Sequence, residues 1–200
     1  LYSSAASDVY KRQALEGFEG TVVVTNADVP LLSPETLQEL TATHDGASVT
    51  VLSVNQDNPT GYGRILRTND GMVTAIVEEK DATEKQKAIT EVNSGVFAFD
   101  AAILRDGLAQ LNTDNAQGEL YLTDVLSIAR RAGHPVRAHI AADAAELAGV
   151  NDRVQLAAAG AELNRRTVAA AMRGGATVVD PATTWIDVDC LLYTSDAADE

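Results

Sequence analysis

The sequence predicts an α/β fold, and three observations carry that reading. A β-branched run at Gly20 to Thr25 is followed by a helix-start signature and then by a second apolar run at Ala47 to Val54. Strand, helix, strand is the crossover unit of a parallel sheet. Further on, EVNSGVFAFD at Glu91 to Asp100 carries large apolar residues on both faces, the pattern of a strand deep in a sheet. The chain has 200 residues, room for one such domain or for a small domain with an attachment.

Each element has a local cause. Gly20 to Thr25 reads as a buried parallel strand, because its residues are β-branched without polar alternation. Ser33 and Pro34 supply an N-cap and a first helical residue for a helix running to about His44. Asn55 to Gly63 is a polar loop. Arg64 to Arg67 and Met72 to Glu78 alternate around Asn69-Asp70-Gly71, a hairpin signal. A short charged helix is expected over Ala82 to Ala88, with longer ones over Ala101 to Leu111 and Leu120 to Arg131. Val136 to Ile140 is a further strand. An Ala-rich helix is expected from Arg153 to Met172, with Leu156, Ala159 and Leu163 facing the core. Gly174-Gly175 ends it, and Thr177 to Asp189 reads as extended.

Composition excludes several classes. The formal charge of −14, from 15 basic and 29 acidic residues, argues against a general nucleic-acid binder. No run reaches the roughly 18 apolar residues of a membrane span. A single cysteine excludes a disulfide framework and a cysteine-based zinc site. The histidines at 44, 134 and 139 are scattered, which favours surface or packing roles over catalysis.

The two ends are read as foreign to the protein. Cys190 to Glu200 and Ser3 to Gln13 can be translated from opposite strands of one DNA element in different frames. That element resembles a transposon-end adapter used in preparing sequencing libraries. The expected organisation is therefore an adapter-derived tail at 1–13, a main domain at 14–175, a linking segment at 176–189 and a second tail at 190–200.

Several residues could carry chemistry. Asp28 follows the first strand, where ligands of open α/β sheets gather, and its carboxylate could hold Mg2+ or cap the turn before Pro30. Gly61 and Gly63 could let backbone approach a ligand or open a hairpin. Glu78 could accept hydrogen bonds from sugar hydroxyls or belong to a solvated charge cluster. Asn93 lies inside an apolar strand, where its carboxamide needs either a ligand or a structural partner. Asn151 precedes a helix, so N-cap is its first reading, with hard-cation ligand as the other. Tyr121 and Thr123 open the helix at Leu120 and could bind, cap or pack.

Taken together, the blocks ADVPLLSPETLQEL, NPTGYGRILR, IVEEKDAT, EVNSGVFAFD, NAQGELYLTDV, GVNDRVQLA and VDPATTWIDVD resemble one family, in order, across 14–189. It is the bacterial bifunctional N-acetylglucosamine-1-phosphate uridyltransferase/glucosamine-1-phosphate acetyltransferase family, and VDPATTWIDVD is most similar to actinobacterial members. The resemblance implies a nucleotide-diphospho-sugar transferase (Rossmann-like) mixed sheet with flanking helices, truncated, ending at the start of a left-handed β-helix. It implies joining of UTP to N-acetylglucosamine 1-phosphate with Mg2+, giving UDP-N-acetylglucosamine and pyrophosphate for cell-wall precursors, in the cytoplasm. By the resemblance Asp28 and Asn151 are Mg2+ ligands, Asn26 and Ala27 line the nucleotide-sugar site, and Gly63, Glu78 and Asn93 contact the sugar. Tyr121 and Thr123 fall near the sugar phosphate. Ala27 stands where the family usually has glycine.

The family's glycine-rich triphosphate loop and uracil-reading segment have no counterpart in 14–189. The resemblance therefore implies an inactive chain from an active parent, with frayed strands beside Gly20 to Thr25. The parent would also acetylate glucosamine 1-phosphate with acetyl-CoA in its β-helix domain and trimerise through it, which this chain would not. The rival readings are a nucleotidyltransferase taking glucose 1-phosphate and a non-catalytic sugar-nucleotide binding module. Asp-Val-Asp at 187–189 lies past the last helix and is set aside as a glycosyltransferase motif.

Overall fold

A computed structural model describes residues 15–190. The tails expected at 1–13 and 190–200 fall outside the described residues, save for the exposed Cys190. The chain divides into two compact units, 1–148 and 149–200.

The first unit is a mixed sheet between helices. Its elements in order are β1 (Thr21–Val24), α1 (Pro34–His44), β2 (Val49–Asn55), β3 (Arg64–Arg67), β4 (Val73–Val77), α2 (Glu84–Lys87), β5 (Glu91–Asp100), α3 (Ala101–Leu108), α4 (Asp124–Arg131) and β6 (Val136–Ile140), then a 3-10 turn at Ala144–Leu147. The sheet order is β4-β3-β5-β2-β6, with β1 also pairing β5. β2 and β6 are parallel, while β5 runs antiparallel to β1, β2 and β3. β1 and β2 therefore point the same way, as a crossover through α1 requires, but β5 lies between them.

β2 and β5 form the centre because both of their faces are covered. Val49, Val51, Phe97 and Phe99 pack on one face with Leu104 of α3 and Val125, Leu126 and Ala129 of α4. Leu52, Val54, Val92, Val96 and Ala98 pack on the other with Leu40 of α1 and Leu147 of the 3-10 turn. Ser33 caps α1 as expected, accepting from the Thr36 amide at 3.1 Å. Glu146 adds a carboxylate at the same helix end, where its charge complements the helix dipole. It accepts from the Ser33 hydroxyl at 2.8 Å and from Thr36 Oγ1 at 2.6 Å.

β1 departs from the expectation of a buried parallel strand. It is antiparallel to its partner β5, and only Val22 and Val24 turn to the core while Thr21 and Val23 are exposed. A β-branched run without polar alternation reads as buried on both faces, but here only one face is covered. His44 proves to be a packing residue. It is buried, with Nδ1 3.0 Å from Thr50 Oγ1 and Nε2 3.5 Å from Asp100 Oδ1.

The second unit is built on α5 (Arg153–Arg173). Three expectations are corrected here. Asp152, not Asn151, is the N-cap, accepting from the Gln155 amide at 2.8 Å. Asn151 instead donates its backbone N–H to Gln155 Oε1 at 2.6 Å, because the helix starts one residue later than a cap at Asn151 requires. Leu156 is 58% exposed, and Ala159 and Val168 are the buried positions of the helix. Residues 177–189, expected to be extended, form no strand and turn at 181–183 and 188–189. Asp180 competes with strand pairing by accepting from the Ala182 amide and the Thr183 hydroxyl, at 3.1 and 2.6 Å. Asn164 of α5 holds this segment from both sides, donating to Thr184 O at 2.8 Å and accepting from the Ile186 amide at 3.0 Å.

Phe99 is fully buried and stacks on Phe97 with ring centroids 5.3 Å apart. Phe99→Ala is expected to lower unfolding free energy by about 3–5 kcal/mol, measured by urea denaturation. A loss below about 1 kcal/mol would mean that this face of β5 is not the core.

Candidate functional site

The pairing of β2 with β5 is irregular at one place, and most of the expected site residues lie around it. β2 occupies one edge of β5. The other edge is shared, with β3 pairing at Arg64↔Val92 and β1 pairing from Val24↔Phe97 onward. Between the two, β5 bulges. The β2 register jumps from Leu52↔Val96 to Ser53↔Asn93, leaving Ser94 and Gly95 as extra residues. The Ser94 hydroxyl stabilises the bulge by donating to Leu52 O at 2.7 Å and accepting from the Val96 amide at 3.2 Å.

Asn26, Gly63 and Asn93 meet at this split edge. The Asn93 amide donates to Gly63 O at 2.8 Å. Its side-chain Oδ1 accepts from the Gly95 amide at 2.9 Å. Asn26, two residues past the end of β1, reaches Ser94 O with its Nδ2 at 3.5 Å. Ala27 is exposed beside it, and a methyl is tolerated there because the position faces outward. Asp28 follows, half-buried, with its Oδ1 buried and without a hydrogen-bond partner among the described residues.

Glu78 follows β4 and faces Gly63. A Cβ on Gly63 would lie 3.2 and 3.3 Å from the two carboxylate oxygens and 3.1 Å from Ile76 Cγ2. Thr123 Oγ1 donates to Glu78 Oε1 at 3.1 Å, so it is a partner of the site rather than a helix cap. Tyr121 is one step further out. Its hydroxyl accepts from Gln117 Nε2 at 2.8 Å, and Gln117 Oε1 accepts from Lys80 at 2.7 Å. Asn151 belongs to the second unit and is exposed.

Sequence reasoning missed three contributors. Arg64 is buried, pairs with Glu79 Oε2 at 2.6 Å and donates to Tyr62 O, so one guanidinium braces the residues beside Gly63 and beside Glu78. An arginine in an alternating hairpin gives no sign of that. Gln117 is legible only once the loops are folded. Gly95 did leave a sign, since a glycine inside an apolar strand marks a bulge or a close backbone approach.

Burial pushes the Glu78 carboxyl above its ordinary value of 4.5, the Thr123 hydroxyl pulls it partly back, and Asp124 and Asp81 push it further up. Burial likewise raises Asp124, with Arg131 opposing and Asp81 adding. The half-dry carboxylate of Glu78 thus stands against Gly63, whose carbonyl accepts from the Asn93 backbone N–H. Among the described residues no group of three or more His, Cys, Asp or Glu side chains is gathered as a metal cage.

The Glu78 shift has a stability consequence with a definite sign. The folded chain binds more protons than the unfolded one between pH 4.5 and the raised value. The stability associated with a neutral Glu78 is full below the unfolded value and is lost as pH rises through the folded one. Glu78→Gln cannot ionise, so its stability relative to the parent is expected to improve with rising pH and then level off, measured by urea melts across that range. A difference that stays constant over the whole range would contradict it.

The chain is similar to known proteins along most of its length. The chain matches the nucleotidyl transferase family over residues 5–189. It is 97% identical over 177 residues to the bifunctional protein GlmU of Corynebacterium jeikeium, covering 88% of this chain and 36% of that protein. It is 74% identical over 177 residues to the same-named protein of Corynebacterium efficiens, with the same coverage. The corresponding protein of Mycobacterium sp. strain KMS is 61% identical over 174 residues, 87% of this chain and 35% of that one. The chain spans about a third of the length of these curated relatives. A solved structure from Bacillus anthracis, assigned as a glucose-1-phosphate thymidylyltransferase, superposes with a TM-score of 0.55 at 16% identity, over 90% of this chain and 64% of that one. It shares the fold. With a family match that spans nearly all of its length, the chain belongs to the nucleotidyl transferase family.

Proposed function

We propose that residues 14–175 are the C-terminal part of a uridyltransferase domain that joins UTP to N-acetylglucosamine 1-phosphate, releasing pyrophosphate and giving UDP-N-acetylglucosamine in the cytoplasm. Residues 176–189 then lead into a left-handed β-helix. In the parent that domain would trimerise and acetylate glucosamine 1-phosphate with acetyl-CoA. The single observation that carries the reading is the convergence of Asn26, Gly63, Glu78 and Asn93 at the split edge of β5, two residues from an unpartnered buried carboxylate oxygen of Asp28.

The residue types suit that reaction. The sugar phosphate is ionised at neutral pH, so its oxygen attacks the α-phosphorus without a general base and pyrophosphate leaves in line. Catalysis then rests on positioning and charge neutralisation. Glu78 accepts from sugar hydroxyls, Asn93 donates through its Nδ2, and the missing side chain at Gly63 leaves the Glu78 carboxylate room against the backbone. The orphaned Asp28 Oδ1 fits a hard cation, because Mg2+ is usually held by one or two protein oxygens with waters and phosphates completing the shell. When bound, Mg2+ offsets the charge on the phosphate oxygens. The resemblance adds Asn151 as a second protein oxygen, and Tyr121 and Thr123 as residues near the sugar phosphate.

The test places these residues in a full-length frame. The matching segment of the Corynebacterium jeikeium relative is replaced by residues 14–189 of this chain, and pyrophosphate release is measured. UTP, N-acetylglucosamine 1-phosphate and Mg2+ are expected to support turnover, EDTA to abolish it, and Asp28→Ala to slow it by at least about 100-fold. Equal turnover with glucose 1-phosphate would overturn the acceptor assignment. Binding of the sugar nucleotide without pyrophosphate release would turn the reading into that of a binding module.

A further inference from the structure

Gly95 has a role that no resemblance assigns. Its φ is +82°, a conformation that L side chains rarely adopt. A Cβ built on it would lie 2.2 Å from Asn26 Nδ2 and 3.0 Å from Asn26 Cγ, inside the van der Waals radius of the carboxamide. The register explains the approach. Two residues beyond the Val24↔Phe97 pair, Asn26 comes opposite Gly95. The same residue also acts on its other neighbour. The Gly95 N–H donates to Asn93 Oδ1 at 2.9 Å. An amide N–H needs an acceptor, so this bond sets the orientation of the Asn93 side chain. The carbonyl oxygen is turned to the bulge and the NH2 group is left to face away from it.

We propose that Gly95 is a positioning residue of the sugar-nucleotide site: its bare α-carbon seats Asn26 on β5, and its amide orients Asn93 so that the site presents a hydrogen-bond donor there. The proposal rests on the functional reading above and deepens it. A donor at Asn93 selects ligand oxygens that accept, such as a hydroxyl or carbonyl oxygen on the sugar. Glu78, across Gly63, selects groups that donate. The pair reads a sugar face with both kinds of group in fixed order, and Gly95 sets that order for one of the two.

The test uses the full chain labelled with 15N. Side-chain NH2 resonances of Asn26 and Asn93 and thermal melting are followed in the chain, and UDP-N-acetylglucosamine is titrated into the full-length frame described above, which supplies the uracil-reading segment. Gly95→Ala is expected to shift both pairs of resonances while leaving those of Asn69 and Asn112 in place, and to weaken UDP-N-acetylglucosamine at least tenfold. Should Gly95→Ala fail to fold, Asn26→Ala with Gly95→Ala is expected to recover part of the lost melting temperature, since the carboxamide that clashes is gone. Unmoved Asn26 and Asn93 signals, unchanged affinity, or a double variant no more stable than the two single losses combined each overturn the proposal. Absence of any UDP-N-acetylglucosamine binding by the unsubstituted full-length frame counts instead against the functional reading, and the Asn26 and Asn93 signals then decide the placement of Gly95 by themselves.

Discussion

β5 has to satisfy two neighbours on one edge, and that constraint organises the first unit. β3 approaches from the side of Val92 and β1 from the side of Phe97, so the strand cannot stay regular between them. Ser94 and Gly95 absorb the difference as a bulge, with the Ser94 hydroxyl taking over bonding that the ladder drops there. A bulge leaves backbone groups and side chains turned out of the sheet. Here it turns them into the gap where β1 and β3 diverge. The core does not compete with this arrangement. Phe97 and Phe99 on one face, and Val96 and Ala98 on the other, hold β5 rigid immediately beyond the bulge.

The opposite wall of the site depends on a buried cation. Arg64 is 1% exposed at its side chain, and its guanidinium touches Glu79, Tyr62 O and Lys87 O. Leaving such a charge without its partners is expensive. Its contacts therefore tie the loop before β3, the loop after β4 and the end of α2 into one body. Gly63 and Glu78 are the immediate chain neighbours of those tied residues, which keeps the carboxylate against the glycine. Arg67 does a similar service lower on the hairpin. It grips Glu91 with two nitrogens at 2.7 Å each, and Ser53 donates to the same carboxylate.

The strands, the capped helix α1 and the hairpin were readable because each has a local cause: β-branched runs, Ser33 with Pro34, and Asn69-Asp70-Gly71. β1 was misread as buried and parallel because a run of valines reports apolar character and not which neighbours arrive. Leu156 was misread because an Ala-rich helix has a shallow apolar stripe, and the buried positions proved to be Ala159 and Val168. Glu78 and Asn93 of the candidate site stand out in the sequence by residue type and position. The connections of the site do not, since Thr123 reaches Glu78 across 45 residues and Asn26 reaches Ser94 across 68. Long-range pairings of that kind come from topology, which a single sequence shows only through resemblance.

Under the proposed function, the balance of charge at the site suits an anionic ligand. The chain carries a formal charge of −14, and a sugar phosphate is itself an anion. Glu78 is already disfavoured as an ion by burial and by Asp124 and Asp81. A further carboxylate at position 93 or 26 would add to that repulsion and would oppose the incoming phosphate as well. Carboxamides recognise the same hydroxyls without the charge, but they have two unlike ends and so must be held the right way round. The bulge supplies that orientation through backbone groups alone, with the Gly95 amide to Asn93 and the Ser94 carbonyl to Asn26. Under the proposed function, neutral side chains oriented by backbone would let an acidic chain bind an anionic sugar, with the Asp28 oxygen that has no partner among the described residues left for a cation.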